Sequence, residues 1–189
     1  LSIMLDTLLE LDRSLLLFFN QGHTLYWDQV MWIYTGKLVW IPLILSMIYV
    51  AFRCGGWREG VWFVLVAGLV ALLCDQFSSS VCKPFFERYR PARDPDFSSM
   101  VTIVNGYRGG MFGFFSSHAA NAAGIVVYTA LIFRNKLYAA TAVLWALLTC
   151  YSRMYLGVHY PGDILAGLLW GTLMGWSGFF LYKKMRPFF

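Results

Sequence analysis

The chain has 189 residues, of which 59% are hydrophobic and 19% aromatic, whereas only 13% are charged. Ordinary soluble domains contain about 25% charged residues and a smaller apolar share. This composition therefore excludes an ordinary soluble domain and indicates an integral membrane protein with a formal net charge of +5. The length suits one compact helical domain over residues 1–189.

The first predicted element is a helix within "LDTLLELDRSLLLFFNQG", residues 5–22. Asp6, Glu10 and Arg13 recur at helical spacing, and leucines fill the other faces. Gly22 marks its predicted end. Because a narrow charged stripe suits the membrane surface better than a crossing, we predict an interfacial amphipathic helix.

The apolar segments that follow are each long enough to cross a bilayer. They run from about Trp32 to Phe52, Val61 to Ser79, Ser117 to Phe133, Leu137 to Arg153 and Asp163 to Tyr182. A long polar loop that ends near Arg108 separates the second segment from the third. The sequence thus predicts an all-α membrane bundle of about five transmembrane helices plus the N-terminal interfacial helix.

Basic residues set the predicted orientation of this bundle. With five crossings, one side carries the connectors "FRCGGWRE", "FRNK" and "YKKMRPFF", and the positive-inside rule makes that side cytoplasmic. The long loop and the turn "SRMYLGVHYPGD" then lie on the extracytoplasmic face, although they are also basic. The positive-inside rule does not explain basic residues on this face, so they predict an anion site.

No metal or disulfide site is predicted. The cysteines at Cys54, Cys74, Cys82 and Cys150 show no CxxC pairing and fall in or beside apolar runs, so we predict packing roles for them. Asp75 and Glu87 lack partners of the kind that hold a metal ion. We also predict that His23, in the connector after the first helix, lies outside any site.

The last predicted helix carries glycines at Gly167, Gly171 and Gly175. Small residues repeated every four positions allow helices to approach closely. The pattern serves either packing within the chain or a dimer, and we favour packing within the chain.

Two polar segments on the predicted extracytoplasmic face can bind a phosphoryl group. In "KPFFERYRP", Lys83 supplies a point charge and Arg90 a planar fork of donors. In "FSSHAANAAG", Ser116, Ser117 and His118 stand at the start of a helix, where free N–H groups and the helix dipole attract anions. The alternatives are an ordinary basic loop and a capping serine followed by a solvated histidine.

The third polar segment is "YSRMYLGVHYPGDILAG", residues 151–167. Pro161 can open a helix, so that Asp163 in its first turn can reach back to the ring of His159 and fix its tautomer. Arg153 closes the preceding helix on the same side. The alternative, an Arg–Asp pair that only ties two helix ends together, does not explain the histidine between them.

Together the three segments resemble the signature of a known family. They read K-x6-RP at Lys83 to Pro91, SSH at Ser116 to His118, and SR-x5-H-x3-D at Ser152 to Asp163. Order and spacing resemble those of the type 2 phosphatidic acid phosphatase superfamily, membrane lipid phosphatases that share a core with vanadium-dependent haloperoxidases. One departure is that Phe115 and Ser117 stand where the family usually has Pro and Gly.

The resemblance implies a phosphohistidine mechanism without a cofactor or metal. His159 would attack phosphorus, Asp163 would hold the ring, and His118 would protonate the leaving group and later activate water. The implied phosphate-binding residues are Lys83, Arg90, Ser116, Ser117 and Arg153.

The implied substrate is a lipid monophosphate or diphosphate at the extracytoplasmic face of a bacterial inner membrane. Undecaprenyl diphosphate is favoured because its turnover is widely needed, and phosphatidylglycerophosphate, phosphatidic acid and lipid A phosphates are further candidates. Two other classes stay open: a lipid phosphotransferase with the same intermediate, and a non-enzymatic protein that binds or transports anionic lipid. The predicted partners are the lipid substrate and the bilayer, with no nucleic acid.

Overall fold

Helices make up the regular structure of the computed structural model, which describes residues 2–185. In chain order the α-helices are α1 (Ser2–Phe19), α2 (Leu25–Tyr34), α3 (Trp40–Gln76), α4 (Lys83–Phe86), α5 (Ser117–Phe133), α6 (Lys136–Tyr155) and α7 (Pro161–Met185). A π-helical segment, Phe77–Cys82, and short 3-10 turns lie between them. Within the described range the only extended pairing is an antiparallel bridge between Tyr89 and Phe112, so the all-α prediction is confirmed.

Helix α3 is a hairpin of two apolar limbs. Gly56 breaks it with a φ of 71° and a ψ of −174°, a conformation that residues with a side chain rarely adopt. Met47 shares one hydrophobic core with Phe63 and Val66, which shows that the chain folds back at this point. The break predicted in "RCGGWREG" is therefore confirmed.

The prediction that one helix runs from Trp32 to Phe52 is wrong at its start. Helix α2 begins after Thr24, whose Oγ1 accepts a hydrogen bond from Trp27 N at 3.2 Å, and it already ends at Tyr34. Helix α3 begins only at Trp40. The apolar run continues across both helices, so hydropathy does not mark the boundary between them. The cap and the turn that separate the helices depend on local hydrogen bonds.

Helices α5 and α7 pack closely and run parallel. A Cβ added at Gly167 would lie 2.6 Å from the Ser116 carbonyl oxygen, and one added at Gly175 would lie 2.6 Å from that of Gly124. Only glycine permits this approach of two backbones. The expectation that the small-residue pattern serves packing within the chain is confirmed. Because the contacts advance in the same direction along both helices, α5 and α7 begin at the same end of the bundle.

The opposite end of the bundle gathers the basic connectors. One cavity there is lined by Cys54 and Gly55 of the α3 hairpin, Arg134 of the α5–α6 connector and Lys183 of α7. The connectors that we predicted to share a side therefore do so, although residues 186–189 of the tail lie outside the described range. That this side is cytoplasmic stays a prediction.

Within residues 2–185, two helical stretches are long and apolar enough to cross a membrane. They are Trp40–Phe86, with a mean hydropathy of 1.9, and Pro161–Met185, with a mean hydropathy of 1.5. The first has 47 residues, whereas one crossing needs only about 20, so its length accommodates the hairpin. Helix α5 is apolar and has 17 residues. The total of five crossings and the interfacial position of α1 stay predictions.

The four cysteines are free thiols. Cys74, Cys82 and Cys150 are buried, which confirms their predicted packing roles. The packing prediction is wrong for Cys54, which is exposed beside the hairpin turn of α3.

Candidate active site

The three polar segments meet at the end of the bundle where α5 and α7 begin. Lys83 opens α4, His118 lies in the first turn of α5, and His159 precedes α7. The charges of Lys83, Arg90 and Arg153 act on both histidines. The structure thus brings together residues that are far apart in sequence, whereas their individual roles stay predictions.

Lys83 lies beside the serine that replaces the family's glycine. Its Nζ donates to Ser117 Oγ at 2.8 Å, and Ser78 Oγ lies 3.0 Å from the same hydroxyl oxygen. Ser117 is buried at the start of α5, where first-turn N–H groups have no acceptor within the helix. The replacement therefore adds a hydroxyl next to the ammonium group and keeps the backbone donors of the helix start.

Ser116 is the N-cap of α5. Its Oγ accepts a hydrogen bond from Ala119 N at 3.4 Å, and its own N–H donates to the Asp163 carbonyl oxygen at 3.0 Å. The side chain is fully buried. The hydroxyl oxygen is thus engaged in starting the helix, and its predicted contact with phosphate stays a prediction.

Phe115, which stands in place of the family's proline, belongs to a buried aromatic cluster. Its ring centroid lies 6.2 Å from that of Phe77 and 6.3 Å from that of Trp170. Ser78 Oγ donates to the Phe115 carbonyl oxygen at 2.7 Å. Ring packing and this hydrogen bond hold the segment before α5, where a proline would act by restricting its own backbone.

His159 and Asp163 form a buried pair. His159 Nδ1 lies 3.4 Å from Asp163 Oδ2, and the two side chains are 1% and 0% exposed. Tyr160 N donates to the same oxygen at 3.1 Å, and the His159 ring also has a hydrogen bond with the backbone of Gly113. Asp163 lies in the first turn of α7, so it is placed to hold the ring in one tautomer.

Arg90 and Arg153 each have a buried nitrogen without a hydrogen-bond partner among the described residues. Arg90 Nε donates to the Phe112 carbonyl oxygen at 3.1 Å, whereas Arg90 Nη1 is unpaired. Arg153 donates to Thr35 Oγ1 and to the Tyr107 hydroxyl, whereas its Nε is unpaired. Buried polar groups are nearly always paired, so these donors favour an anionic ligand between the two arginines.

The environment of His159 keeps its ring neutral. Burial lowers the pKa of His159 well below its usual value, and the positive charges of Arg90, Arg153 and Lys83 lower it further. A neutral ring keeps the lone pair that nucleophilic attack requires. In the described part of the chain, no group of three or more His, Cys, Asp or Glu residues could hold a metal ion.

Arg88, which was not among the predicted site residues, connects this pair to helix α1. Arg88 Nη1 donates to Asp163 Oδ1 at 2.8 Å, and Nη2 donates to Asp12 Oδ2 at 2.6 Å. Asp12 Oδ1 in turn accepts from Gly162 N at 2.7 Å, and the guanidinium lies 4.3 Å from the Tyr160 ring centroid. No local pattern marks Arg88, because its partners are 75 and 76 residues away.

His23 takes part in a separate hydrogen-bond network. Its Nδ1 lies 2.7 Å from Asp28 Oδ1, which also accepts from the Tyr155 hydroxyl at 2.7 Å. Asn20 Nδ2 donates to the Tyr155 carbonyl oxygen at 2.6 Å and lies 3.4 Å from His23 Nε2. The network ties the α1–α2 connector to the end of α6.

Comparison with known proteins decides the family. The sequence matches the PAP2 superfamily over residues 60–187. The chain belongs to the PAP2 superfamily. A lipid A 4'-phosphatase of Bacteroides thetaiotaomicron is 38% identical over 183 residues, which cover 96% of this chain and 81% of that protein. A lipid A 4'-phosphatase of Porphyromonas gingivalis is 37% identical over 181 residues, which cover 95% and 75%.

A solved structure supports the same assignment. The crystal structure of a transmembrane PAP2-type phosphatidylglycerolphosphate phosphatase from Bacillus subtilis superposes with a TM-score of 0.67 at 25% identity. The superposition covers 96% of this chain and 87% of the other. This PAP2 protein is therefore a membrane lipid phosphatase.

Proposed function

We propose that this PAP2 protein hydrolyses a phosphate monoester of a lipid A-type glycolipid through a phosphohistidine on His159. The observation that carries the proposal is the pair of unpaired buried donors, Arg90 Nη1 and Arg153 Nε, on the two arginines whose charges act on the neutral His159 ring. A phosphate group supplies charged acceptors for both guanidinium groups. The two lipid A 4'-phosphatases, which align along nearly the whole chain, support the choice of lipid.

In the first step, the lone pair of His159 attacks phosphorus, and the bond from phosphorus to the leaving oxygen breaks. Asp163 holds the ring and balances the positive charge that grows on it. His118 donates a proton to the leaving oxygen, so the lipid departs as an alcohol. The cationic side chains around the two histidines stabilise the other phosphate oxygens, where charge spreads in the transition state.

In the second step, water attacks the phosphohistidine. His118, which lost its proton in the first step, accepts one from the water, and the bond between phosphorus and the His159 nitrogen breaks. Inorganic phosphate leaves, and the protonated His118 is restored. A phosphotransferase would use the hydroxyl of an acceptor lipid in place of water, so the two reactions differ in their phosphorylated product.

The proposed site faces away from the cytoplasm. Support comes from the basic connectors, which lie at the end of the bundle opposite to the histidines. A lipid whose phosphate lies at the outer surface of the inner membrane would reach such a site. Undecaprenyl diphosphate meets the same condition and is the second substrate to test.

A phosphate-release assay on purified protein tests the proposal. Its panel contains lipid A with a 4'-phosphate, undecaprenyl diphosphate, phosphatidylglycerophosphate and phosphatidic acid. We expect the highest kcat/KM for the lipid A phosphate. A higher value for another lipid would overturn the substrate choice. Transfer of phosphate to a second lipid would support a transferase, and binding without turnover would support the non-enzymatic alternative.

A further inference from the structure

An apolar cavity lies between the two limbs of α3 and helix α5. Its volume is about 510 Å³, within the range of about 300–1,000 Å³ found for small-molecule sites. Side chains of both α3 limbs, such as Ile44, Met47 and Val64, form much of its wall. Ser117 and His118 also line it, so the cavity is continuous with the catalytic site.

One stripe of α5 faces this cavity. His118, Asn121, Ile125 and Thr129 all line it, and their spacing of three or four residues places them on one face of the helix. In the proposed mechanism His118 protonates the leaving oxygen. The first atoms of the leaving lipid must therefore lie within reach of His118, and the cavity is the space available to them. Asn121 follows about 4.5 Å further along the helix axis.

Asn121 differs from Thr129, a second polar residue of the stripe. Its Oδ1 is buried and has no hydrogen-bond partner in the part of the chain that the structure describes. Thr129, in contrast, donates to the Ile125 carbonyl oxygen at 2.6 Å and lies 2.7 Å from the Tyr138 hydroxyl that donates to it. An amide oxygen accepts hydrogen bonds, and leaving it unpaired in an apolar cavity is unfavourable. Asn121 Oδ1 therefore lacks a hydrogen-bond donor, which a ligand can supply.

We infer that Asn121 selects leaving lipids that carry a hydroxyl or amide N–H close to the phosphate. This inference rests on the proposed function, because it uses His118 as the acid for the leaving group. A glycolipid can donate to Asn121 Oδ1 from a hydroxyl or an amide N–H. The chain next to the phosphate of a polyprenyl monophosphate is hydrocarbon, so it leaves Asn121 Oδ1 unpaired. Sites built to hydrogen-bond a substrate reject analogues that lack the group.

The test measures kcat/KM for lipid A 4'-phosphate divided by kcat/KM for a polyprenyl monophosphate. Asn121→Leu keeps a side chain of similar size and removes the amide, so we expect this ratio to fall about 10- to 100-fold, the effect of losing one buried hydrogen bond. Ile125→Leu is the matched control, because it changes the same stripe without changing its polar groups. The ratio of the two kcat/KM values in Ile125→Leu is expected to equal that of the unmodified protein, even if both values change.

Hydrolysis of p-nitrophenyl phosphate reports whether each variant is folded. If Asn121→Leu no longer hydrolyses p-nitrophenyl phosphate, two other variants replace it: Asn121→Gln, which keeps the amide, and Asn121→Ala, which does not. The ratio of the two kcat/KM values is then compared between them. We expect the ratio to be larger in the Gln variant, and equal ratios overturn the role of Asn121. If the unmodified protein hydrolyses the aryl phosphate and the polyprenyl phosphate but no lipid A phosphate, the proposed substrate fails. If it prefers lipid A phosphate and Asn121→Leu keeps that preference, only the inference on Asn121 fails.

Discussion

Arg88 Nη1 and Asp163 Oδ1 form an ion pair at 2.8 Å. The other oxygen of the Asp163 carboxylate lies 3.4 Å from His159 Nδ1. Arg88 thus occupies one side of a fully buried carboxylate and leaves the other side for the histidine. The same guanidinium binds Asp12 at 2.6 Å, so it also ties helix α1 to the His159–Asp163 pair.

Replacing Arg88 by glutamine should slow catalysis more than it weakens binding. The change removes the cation that balances buried Asp163, and breaking such a pair leaves a charge uncompensated. We expect kcat to fall about 100-fold with little change in KM, because Arg88 acts on Asp163 and not on the substrate. Arg93→Gln is the control, since Arg93 is an exposed arginine of the same loop that donates to the Gly109 carbonyl. A large rise in KM at unchanged kcat would instead place Arg88 among the phosphate-binding groups.

Gly113 should tolerate no side chain. An added Cβ would lie 2.9 Å from Asp163 Oδ2 and 3.2 Å from Arg90 Cγ. Gly113→Ala should push the carboxylate away from His159 and lower kcat about 10- to 100-fold. Gly110→Ala is the matched control, because a Cβ added there meets nothing within 4 Å. Steady-state kinetics that give both variants the same kcat would contradict this account of Asp163.

Local signals allowed the sequence to predict helix α5 correctly. Its observed bounds, Ser117–Phe133, equal the predicted ones, because both ends depend on neighbouring residues. Ser116 caps the start, and Arg134 ends the helix with a φ of 50°. The start of α3 was not predictable in this way, since the turn before Trp40 interrupts an otherwise continuous apolar run.

The residues of the candidate site also differ in whether a local sequence pattern identifies them. Lys83, Arg90 and His159 stand in short motifs, so their residue types and spacing suffice to identify them. Arg88 and Asp12 meet across 76 residues, and neither has a local pattern. Asn121 is one of many residues on an apolar helix, and only the cavity and the unpaired amide oxygen set it apart.

The acid limb of the pH profile should follow the charges around His159. Burial and the positive charges of Arg90 and Arg153 lower the pKa of His159, and the neutral ring is the attacking form in the proposed mechanism. Activity should therefore persist as pH falls below the usual histidine pKa of about 6.5. Arg153→Gln removes one positive charge, so the pKa of His159 should rise and the acid limb of kcat/KM should move to higher pH.

Arg108→Gln is the control for this shift. Arg108 donates to the Ala92 carbonyl oxygen at 2.7 Å and is not among the main charges that act on His159. The acid limb of kcat/KM for Arg108→Gln should lie at the same pH as that of the unmodified protein. An acid limb that stays in place or moves to lower pH in Arg153→Gln would contradict the prediction.

Thiol labelling in intact cells tests the orientation of the site. Cys54 is exposed at the end that carries the basic connectors, whereas Cys82 is buried and cannot report on the site end. A cysteine introduced at exposed Ser99, in the loop that leads to the site, is the better reporter. A membrane-impermeant reagent should label the Ser99→Cys variant and spare Cys54 until the membrane is opened. The opposite pattern would place the site in the cytoplasm.

Trapping the phosphoenzyme tests the central claim most directly. The protein is incubated in excess chelator with an aryl phosphate that carries radioactive phosphorus, and it is quenched in alkali, in which phosphohistidine survives. Because an aryl leaving group needs little proton donation, His118→Ala should still form the intermediate and hydrolyse it slowly. We predict label on the peptide that contains His159, its loss in His159→Ala, and its suppression by vanadate, which mimics the transition state. Label that needs added magnesium, or that persists in His159→Ala, would contradict the account.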